Sequence, residues 1–301
     1  MNAMRPVVTV GDGIIDAVAR ADGPPVLFPG GAGLNLAVGL ARLGLPSVLA
    51  ARIGLDRHGQ RLMRHLREEG VTLINTRNTD YTGVATSERR DGEPSFHFTP
   101  SVFRRRIGFD QRLLQVIESA PAVAVNSFSF HTPGQAEALA VALDRAAGLR
   151  VLDPNPRPRL IGDFAAFRDG FARALRKANL VKLSVEDAQL LYAREDDGLA
   201  AMIFAHGVDA LVLTRGRLGA SVFTRSGLAA SVPAATFAAP IVDTMGAGDA
   251  TLASIVATIL LDGMPDSNDS WQGCLRRAMD VAGATCRSVG GALVRPVPTG
   301  I

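Results

Sequence analysis

The stretch Asp243–Thr244–Met245–Gly246–Ala247–Gly248–Asp249 runs directly into the long apolar segment Ala250–Leu261. Glycines at a helix start remove side chains where backbone N–H groups turn outward. The free N–H groups and the helix dipole then converge on one spot, which is an anion site. Asp249 falls in the first turn of that helix. It reads either as a helix-capping acid or as a carboxylate with a task beside a bound anion, because a bare negative charge in an anion hole is costly. The task that fits is accepting a hydroxyl proton while the N–H groups hold a phosphoryl group in transfer, where positioning matters more than a raised pKa.

Outward from this segment, short β-rich runs alternate with helical patterns. Strands are expected at Val7–Val10, Val48–Ile53, Ala122–Asn126, Arg150–Asp153, Leu180–Leu183, Ala210–Thr214, Ala220–Thr224 and Leu228–Val232. Helices are expected at Gly33–Leu43, Arg57–Glu69, Gly134–Ala147, Asp163–Lys177, Val185–Tyr192, Gly198–His206, Ala247–Leu261 and Trp271–Ser288. The alternation predicts parallel βαβ units with helices on both faces of one sheet. No repeat or linker divides the chain, so residues 1–301 are expected to form one domain. From Gly83 to Phe98 the pattern changes to a hairpin about an Asp91–Gly92 turn, with Val84/Thr86 and Phe96/Phe98 alternating on either side. Ile14–Ala19 and Val26–Phe28 add short strands, so residues 12–30 and 83–106 are expected to form a small lid sheet beside the main one.

A second glycine-rich segment, Gly30–Gly31–Ala32–Gly33–Leu34–Asn35, opens the helical run Leu36–Gly44. It permits close backbone approach to a ligand, and Asn35 both donates and accepts hydrogen bonds. On its own it is also an ordinary turn. No GxxxxGK[ST] phosphate loop occurs, and no GxGxxG follows the first strand.

The two segments together resemble the ribokinase-like (PfkB) family of carbohydrate kinases. The first carries G-G-x-x-x-N-x-A-x-x-x-A-x-L-G through Gly30, Gly31, Asn35, Ala37, Ala41, Leu43 and Gly44, and the second carries D-T-x-G-A-G-D. The resemblance extends from Gly11–Asp12 to Gly290–Gly291. It implies a doubly wound, mostly parallel α/β sheet with a small β-sheet lid, often used for dimerisation. The implied activity is ATP-dependent phosphorylation of a sugar hydroxyl, with Asp249 as base and Gly246, Ala247 and Gly248 as the anion hole. Asp16 looks like the family's sugar-binding aspartate, and Gly30, Gly31 and Asn35 match sugar-contacting positions.

Other segments extend the resemblance. Asp153–Pro154–Asn155–Pro156–Arg157 is similar to the D-x-N-x-R turn of the fructokinase and 2-keto-3-deoxygluconate kinase branch, which makes Arg157 a cation near the transferred phosphate. Val181–Lys182–Leu183–Ser184–Val185–Glu186–Asp187 resembles that branch's V-K-L-S-x-E-E. It implies nucleotide contacts at Lys182 and Ser184 and a Mg²⁺ held through water by Asp187 or Glu186. The same residues also read as a capping box, Ser184 at the N-cap and Asp187 at N3. Thr214, Gly216 and Gly219 match the T-x-G-x-x-G turn beside the nucleotide, or form a plain turn between strands. Asp243 is implied near a K⁺ site. In the lid, His97 and Phe98 are candidates to face the sugar. Fructose is the first substrate expected; a ketodeoxygluconate, with Arg104–Arg106 or Arg89–Arg90 meeting its carboxylate, or a nucleoside is the alternative. A silent sugar or nucleotide sensor on the same fold is the non-enzymatic alternative.

Composition narrows the remaining classes. Apolar residues make up 47% and charged residues 20% of the 301, which excludes a disordered or fibrous chain. Cys274 and Cys286 form no CxxC pair, so a disulfide framework and the common zinc motifs are not expected. The run Ala250–Leu261 is too short for the roughly 20 residues of a bilayer span. With no secretory h-region at the N-terminus, a cytoplasmic protein is expected. The net charge is +3, yet aromatics are only 5% and the arginines are interspersed with acids. No nucleic-acid or membrane partner is expected.

Overall fold

The computed structural model describes residues 4–20, 22–76, 81–90, 93–194 and 197–296. The chain begins with β1 (Val7–Gly11), β2 (Ile14–Val18), β3 (Val26–Gly30), α1 (Ala32–Arg42), β4 (Ser47–Ala51), α2 (Arg57–Glu68) and β5 (Val71–Asn75). Then come β6 (Val84–Arg90), β7 (Glu93–Phe98), α3 (Gln111–Ser119), β8 (Ala122–Asn126), α4 (Gln135–Arg145), β9 (Leu149–Asp153), α5 (Phe164–Leu175) and β10 (Leu180–Ser184). The last part holds α6 (Val185–Tyr192), α7 (Asp197–Phe204), β11 (Ala210–Thr214), β12 (Ala220–Thr224), β13 (Gly227–Val232), α8 (Ala247–Asp262) and α9 (Asn268–Thr285).

The strands form two sheets. The larger has nine strands in the order β13-β12-β11-β10-β9-β8-β1-β4-β5, parallel except where β12 and β13 pair antiparallel at one end. Strand alternation decides its two cores. Val8, Val10, Val123 and Val125 point to one face and pack on Leu113, Leu139, Phe167 and Leu199 of α3, α4, α5 and α7. Val7, Ala122 and Ala124 point to the other and pack on Leu36, Ile255 and Leu275 of α1, α8 and α9. A sheet covered on both faces needs apolar residues at consecutive positions, and Ala122–Val123–Ala124–Val125 supplies them, all fully buried.

The smaller sheet has the order β3-β2-β6-β7 and stands off the main one as the expected lid. Its register places Phe28, Asp16, Ala85 and Phe98 in one row across all four strands. Ile14, Ala85 and Phe98 on that face pack with Val102 and Leu160. Ile15, Leu27 and Val84 on the opposite face pack on the helices α1 and α2 through Leu34, Leu62 and Leu66. The Asp91–Gly92 turn lies outside the described residues, but Arg90 pairs with Glu93 as a two-residue hairpin requires. The lid strands end at Phe98. Residues Pro100–Arg104, expected as lid, form a 3₁₀ turn with Pro in its first turn, where a missing N–H costs nothing. Two elements escaped the sequence pattern, β5 and α3. Both are short, and α3 starts at a side-chain cap in which Asp110 accepts from Leu113 N.

Candidate active site

β1 is the switch point of the main sheet: β4 and β5 lie to one side of it, β8 and β9 to the other. At such a point the loops leaving the strand C-termini part and leave a crevice, the favoured ligand site of an open α/β sheet. Asn126 ends β8, Asp153 ends β9 and Ser184 ends β10, all on this edge. The N-termini of α1 and α8 meet at the same crevice through Asn35 and Asp249, and Asp16 of the small sheet is near enough to feel the Asp249 charge.

Asp249 lies at the third position of α8, after a Gly246 N-cap with φ 74°. A Cβ at Gly246 would collide with the Gly291 carbonyl oxygen, so both the turn and the close approach require glycine there. Asp249 is buried, and each of its oxygens accepts one amide hydrogen: Asn35 Nδ2 donates to Oδ2 at 3.0 Å and Asn126 Nδ2 to Oδ1 at 2.9 Å. Burial pushes its pKa up to about 6, with the Asp153 charge adding to the rise. The two amides and Lys182 pull the other way.

Lys182 does not point outward as a nucleotide contact would. Its ammonium is buried against Asp153 Oδ2 at 2.8 Å and lies 3.1 Å from where a Gly248 Cβ would be. Burial alone would lower its pKa, but Asp153, Asp187 and Asp249 outweigh that and hold it raised, as an ammonium ion. A fixed cation therefore underlies the glycine turn at the start of α8. Asp153 is itself pushed up by burial, against the pull of Lys182.

Asp16 reaches the crevice from the lid. Its pKa rises to about 7, first from burial and then from the charges of Asp12 and Asp249, while the Gly31 N–H and Arg157 moderate the rise. A Cβ at Gly30 would occupy the place of the Asp16 carboxylate, which explains the first glycine of the Gly30–Gly31 pair. Gly31 caps α1 at φ 96°. Phe98 lies two strands from Asp16 in the same row, and Phe28 lies beside it. His97 is turned away: it belongs to the next row, with Thr86 and Ala17, on the face that packs toward α1 and α2. The expected sugar contact at His97 is corrected by this alternation.

The remaining expected residues form a second group. Ser184 and Asp187 make both bonds of a capping box, each 3.0 Å, so one Asp187 oxygen is committed to the Ser184 N–H. Glu186 is exposed on the first turn of α6. Thr214 ends β11, and Gly216 and Gly219 bracket a 3₁₀ turn before β12. Asp243 accepts from Met245 N at 3.0 Å and Gly290 N at 3.1 Å, tying the glycine turn to the segment after α9. Arg157 is exposed, and its charge acts on both Asp16 and Asp153.

Three residues at the site, Asn126, Asp12 and Gly291, are given no role by the sequence. Asn126 ends β8 as a polar stop to an apolar run, which is the signal that would have found it, and Asn155 of the D-x-N-x-R turn lies two residues past the end of β9. Asp12 accepts from Gly33 N at 3.0 Å and pairs with Arg105 at 3.1 Å, with Ser127 Oγ bonded to both. Gly291 covers Asn35, and a Cβ there would collide with its amide.

The model of the pfkB family carbohydrate kinases matches residues 4–298. The chain belongs to the pfkB family of carbohydrate kinases. A fructokinase of Salmonella typhimurium is 33% identical to the kinase over 97% of this chain and 96% of its own. The crystal structure of a fructokinase from Xylella fastidiosa with bound ATP has a TM-score of 0.79 at 23% identity, covering 95% of this chain and 93% of that one. A Vibrio cholerae fructokinase in a fructose-, ADP- and calcium-bound form has a TM-score of 0.77 at 23% identity, covering 96% and 94%. The kinase thus has the ribokinase-like fold expected from its motifs. Among its described residues no helix is long and apolar enough to cross a membrane.

Proposed function

We propose that the kinase transfers the γ-phosphoryl group of ATP to a hydroxyl of fructose, with Asp249 as general base. The observation that carries this reading is the Asp249 carboxylate, buried at the first turn of α8 with both oxygens held by amides and a pKa of about 6. At neutral pH it is ionised yet still basic enough to take a hydroxyl proton. In the proposed step, the sugar oxygen bonds to the γ-phosphorus as the bond to the β,γ-bridging oxygen breaks, and the hydroxyl proton passes to Asp249. The free N–H groups of Gly246 and Gly248, backed by the Lys182 ammonium, face the phosphoryl oxygens, while the Ala247 N–H between them donates to Thr244 O at 3.3 Å. Arg157 adds a guanidinium on the lid side. Asp16 and Asn35 bind sugar hydroxyls, and Phe98 and Phe28 flank Asp16 on the closing lid. Ser184, Thr214, Gly216 and Gly219 border the nucleotide.

Fructose is favoured by the similarity to fructokinases. The electrostatics favour an uncharged acceptor over a ketodeoxy sugar acid. Of Arg104–Arg106, expected to meet a carboxylate, Arg105 is neutralised by Asp12 within the fold and Arg104 and Arg106 are exposed; the side chains of Arg89 and Arg90, the other expected pair, lie outside the described residues.

Mg²⁺ fits this site as a companion of the nucleotide. Among the described residues no group of three His, Cys, Asp or Glu side chains is arranged to hold a metal alone. The ion would lie on the phosphates, with Asp187 or Glu186 reached through water, and would neutralise charge on the phosphate oxygens. Asp243 and the loop it bonds are the proposed K⁺ region. A homodimer through the lid fits the open edges of β3 and β7. A cytoplasmic setting suits the free Cys274 and Cys286.

The test is ADP release with Mg-ATP and K⁺ across fructose, 2-keto-3-deoxygluconate, ribose and adenosine, with Asp249→Asn alongside. Turnover strongest with fructose and reduced at least about a hundredfold in the variant is expected. Sugar and nucleotide binding without turnover would point to the sensor instead.

A further inference from the structure

We propose that Asn126 is the positioning residue of the catalytic base, and that the corner at the end of β8 is built to hold it there. The inference rests on the reading of Asp249 as base. Asn126 is fully buried at the end of β8, beside the switch-point strand β1. Its amide nitrogen donates to Asp249 Oδ1 at 2.9 Å and to Ala32 O at 3.3 Å, and its oxygen accepts from Asn155 Nδ2 at 3.3 Å. The side chain is therefore fixed from both ends, and it fixes the carboxylate in turn.

The backbone around it carries strain. Ser127 and Asn155 both have positive φ, 57° and 41°, the left-handed region that non-glycine residues seldom adopt. Such residues persist where the surroundings over-determine them, and they gather at functional sites. Each is pinned here. Ser127 N donates to Asp153 O at 3.2 Å, and its hydroxyl lies 3.0 Å from Asp12 Oδ2 and 2.8 Å from Arg105 Nη1. Asn155 N donates to Asp153 Oδ1 at 3.1 Å. Two strained residues, one on each side of Asn126, thus set its rotamer. Through Ser127 the same corner is tied to Asp12, in the connection between β1 and the lid strand β2.

The groups that face Asp249 are Asn35 from α1, Asp16 from the lid, Asp153 from β9 and Lys182 from β10. Asn126 meets the base without carrying charge and without a proposed substrate contact of its own. Its loss is expected to act on the chemical step more than on binding.

Asn126→Ala is expected to lower kcat about tenfold to a hundredfold, as a misplaced reacting group does. KM for fructose and for ATP should stay within about threefold of wild type, because the proposed substrate contacts are untouched. The acid limb of the kcat profile should move to higher pH, since a donor to the ionised carboxylate is gone. Asn126→Ser, which keeps a short donor, should recover part of both effects. Asn155→Gly keeps the left-handed corner and removes only the donor to Asn126, so it reads the same role where the Asn126 variants fail to fold. It should lower kcat less and move the limb the same way. Wild-type kcat with an unmoved limb in any variant that folds overturns the proposal, as does a loss confined to sugar KM. Asp249→Asn run alongside separates the two readings. If it retains turnover, the base assignment falls and this proposal with it. If it is inactive while the Asn126 variants match wild type, only this proposal falls.

Discussion

Asn35 Nδ2 donates to Asp249 Oδ2 at 3.0 Å, joining residues 214 positions apart. The bond closes the crevice between the two helix N-termini that carry the family's motifs. Asn35 Oδ1, in contrast, is buried beside Gly291 with no protein partner. A buried acceptor without a donor costs about 1–3 kcal/mol, and in the proposed complex Asn35 is also a group that meets a sugar hydroxyl. Asn35→Ala is therefore expected to raise the fructose KM about tenfold, in line with a lost neutral hydrogen bond, while ATP KM stays put. It should also move the acid limb of kcat upward, because Asn35 is the first of the groups holding the Asp249 pKa down. Steady-state kinetics across pH measure both, and an unchanged sugar KM would remove Asn35 from the sugar site.

The pH dependence follows from two raised carboxylates. Asp249 titrates at about 6 and Asp16 at about 7. The base works ionised, so kcat should fall as pH drops through about 6. Sugar binding to ionised Asp16 should weaken from about pH 7 downward, which places the acid limb of kcat/KM above that of kcat. The two groups interact, so these limbs belong to the pair. Coincident limbs at pH 4 would contradict the electrostatics.

Stability has the opposite sign to activity. A carboxyl whose folded pKa lies above its unfolded value binds more protons when folded, so stability falls as pH rises through that window. For Asp249 the window runs from 3.8 to about 6, a cost of roughly 3 kcal/mol above it. Asp249→Asn should thus melt several degrees higher than wild type at pH 8 and about level with it at pH 4. Thermal melts at the two pH values test this without reference to turnover.

The capping box in α6 separates a structural role from a metal role. Ser184→Ala removes the acceptor for Asp187 N and should cost about 1 kcal/mol with little change in Mg²⁺ requirement. Asp187→Asn keeps an oxygen for the Ser184 N–H but removes the charge. It should melt near wild type and raise the Mg²⁺ concentration for half-maximal rate several-fold. If the Mg²⁺ titration of Asp187→Asn overlays wild type, Asp187 is a cap alone and Glu186 inherits the water-mediated role.

Much of this was legible in local pattern. Ala210–Thr214 and Ala220–Thr224 run true to their expected bounds because their apolar runs are bordered by turn residues. Val185–Tyr192 does so because Ser184 and Asp187 mark its start. The two glycine motifs located the helix N-termini that build the crevice. What local pattern does not encode is which strands become neighbours. Asn126, Asp153 and Lys182 meet only because β8, β9 and β10 lie side by side. The V-K-L-S-x-E-E motif points Lys182 to the nucleotide, and its pairing with Asp153, 29 positions away, belongs to the register of β9 and β10. The inward or outward face of His97 likewise depends on the β6–β7 register, not on its spacing from Phe98 alone.

Lys182 gives the sharpest test of whether the charges under α8 are catalytic or merely tolerated. Lys182→Met leaves Asp153 buried without its partner, and breaking such a pair costs about 3–5 kcal/mol. It also removes a cation that lowers the Asp249 pKa, so the acid limb of kcat should rise. Adding Asp153→Asn removes the orphaned charge and keeps the oxygen that accepts from Asn155 N. With no charge left unpaired, the double variant should recover much of the lost stability. It should not recover kcat, because the ammonium beneath Gly248 is still missing and the N–H groups of the turn then hold the phosphoryl oxygens without it. A double variant that regained both stability and kcat would make the pair a device of packing. One that regained stability alone would assign Lys182 to the transition state.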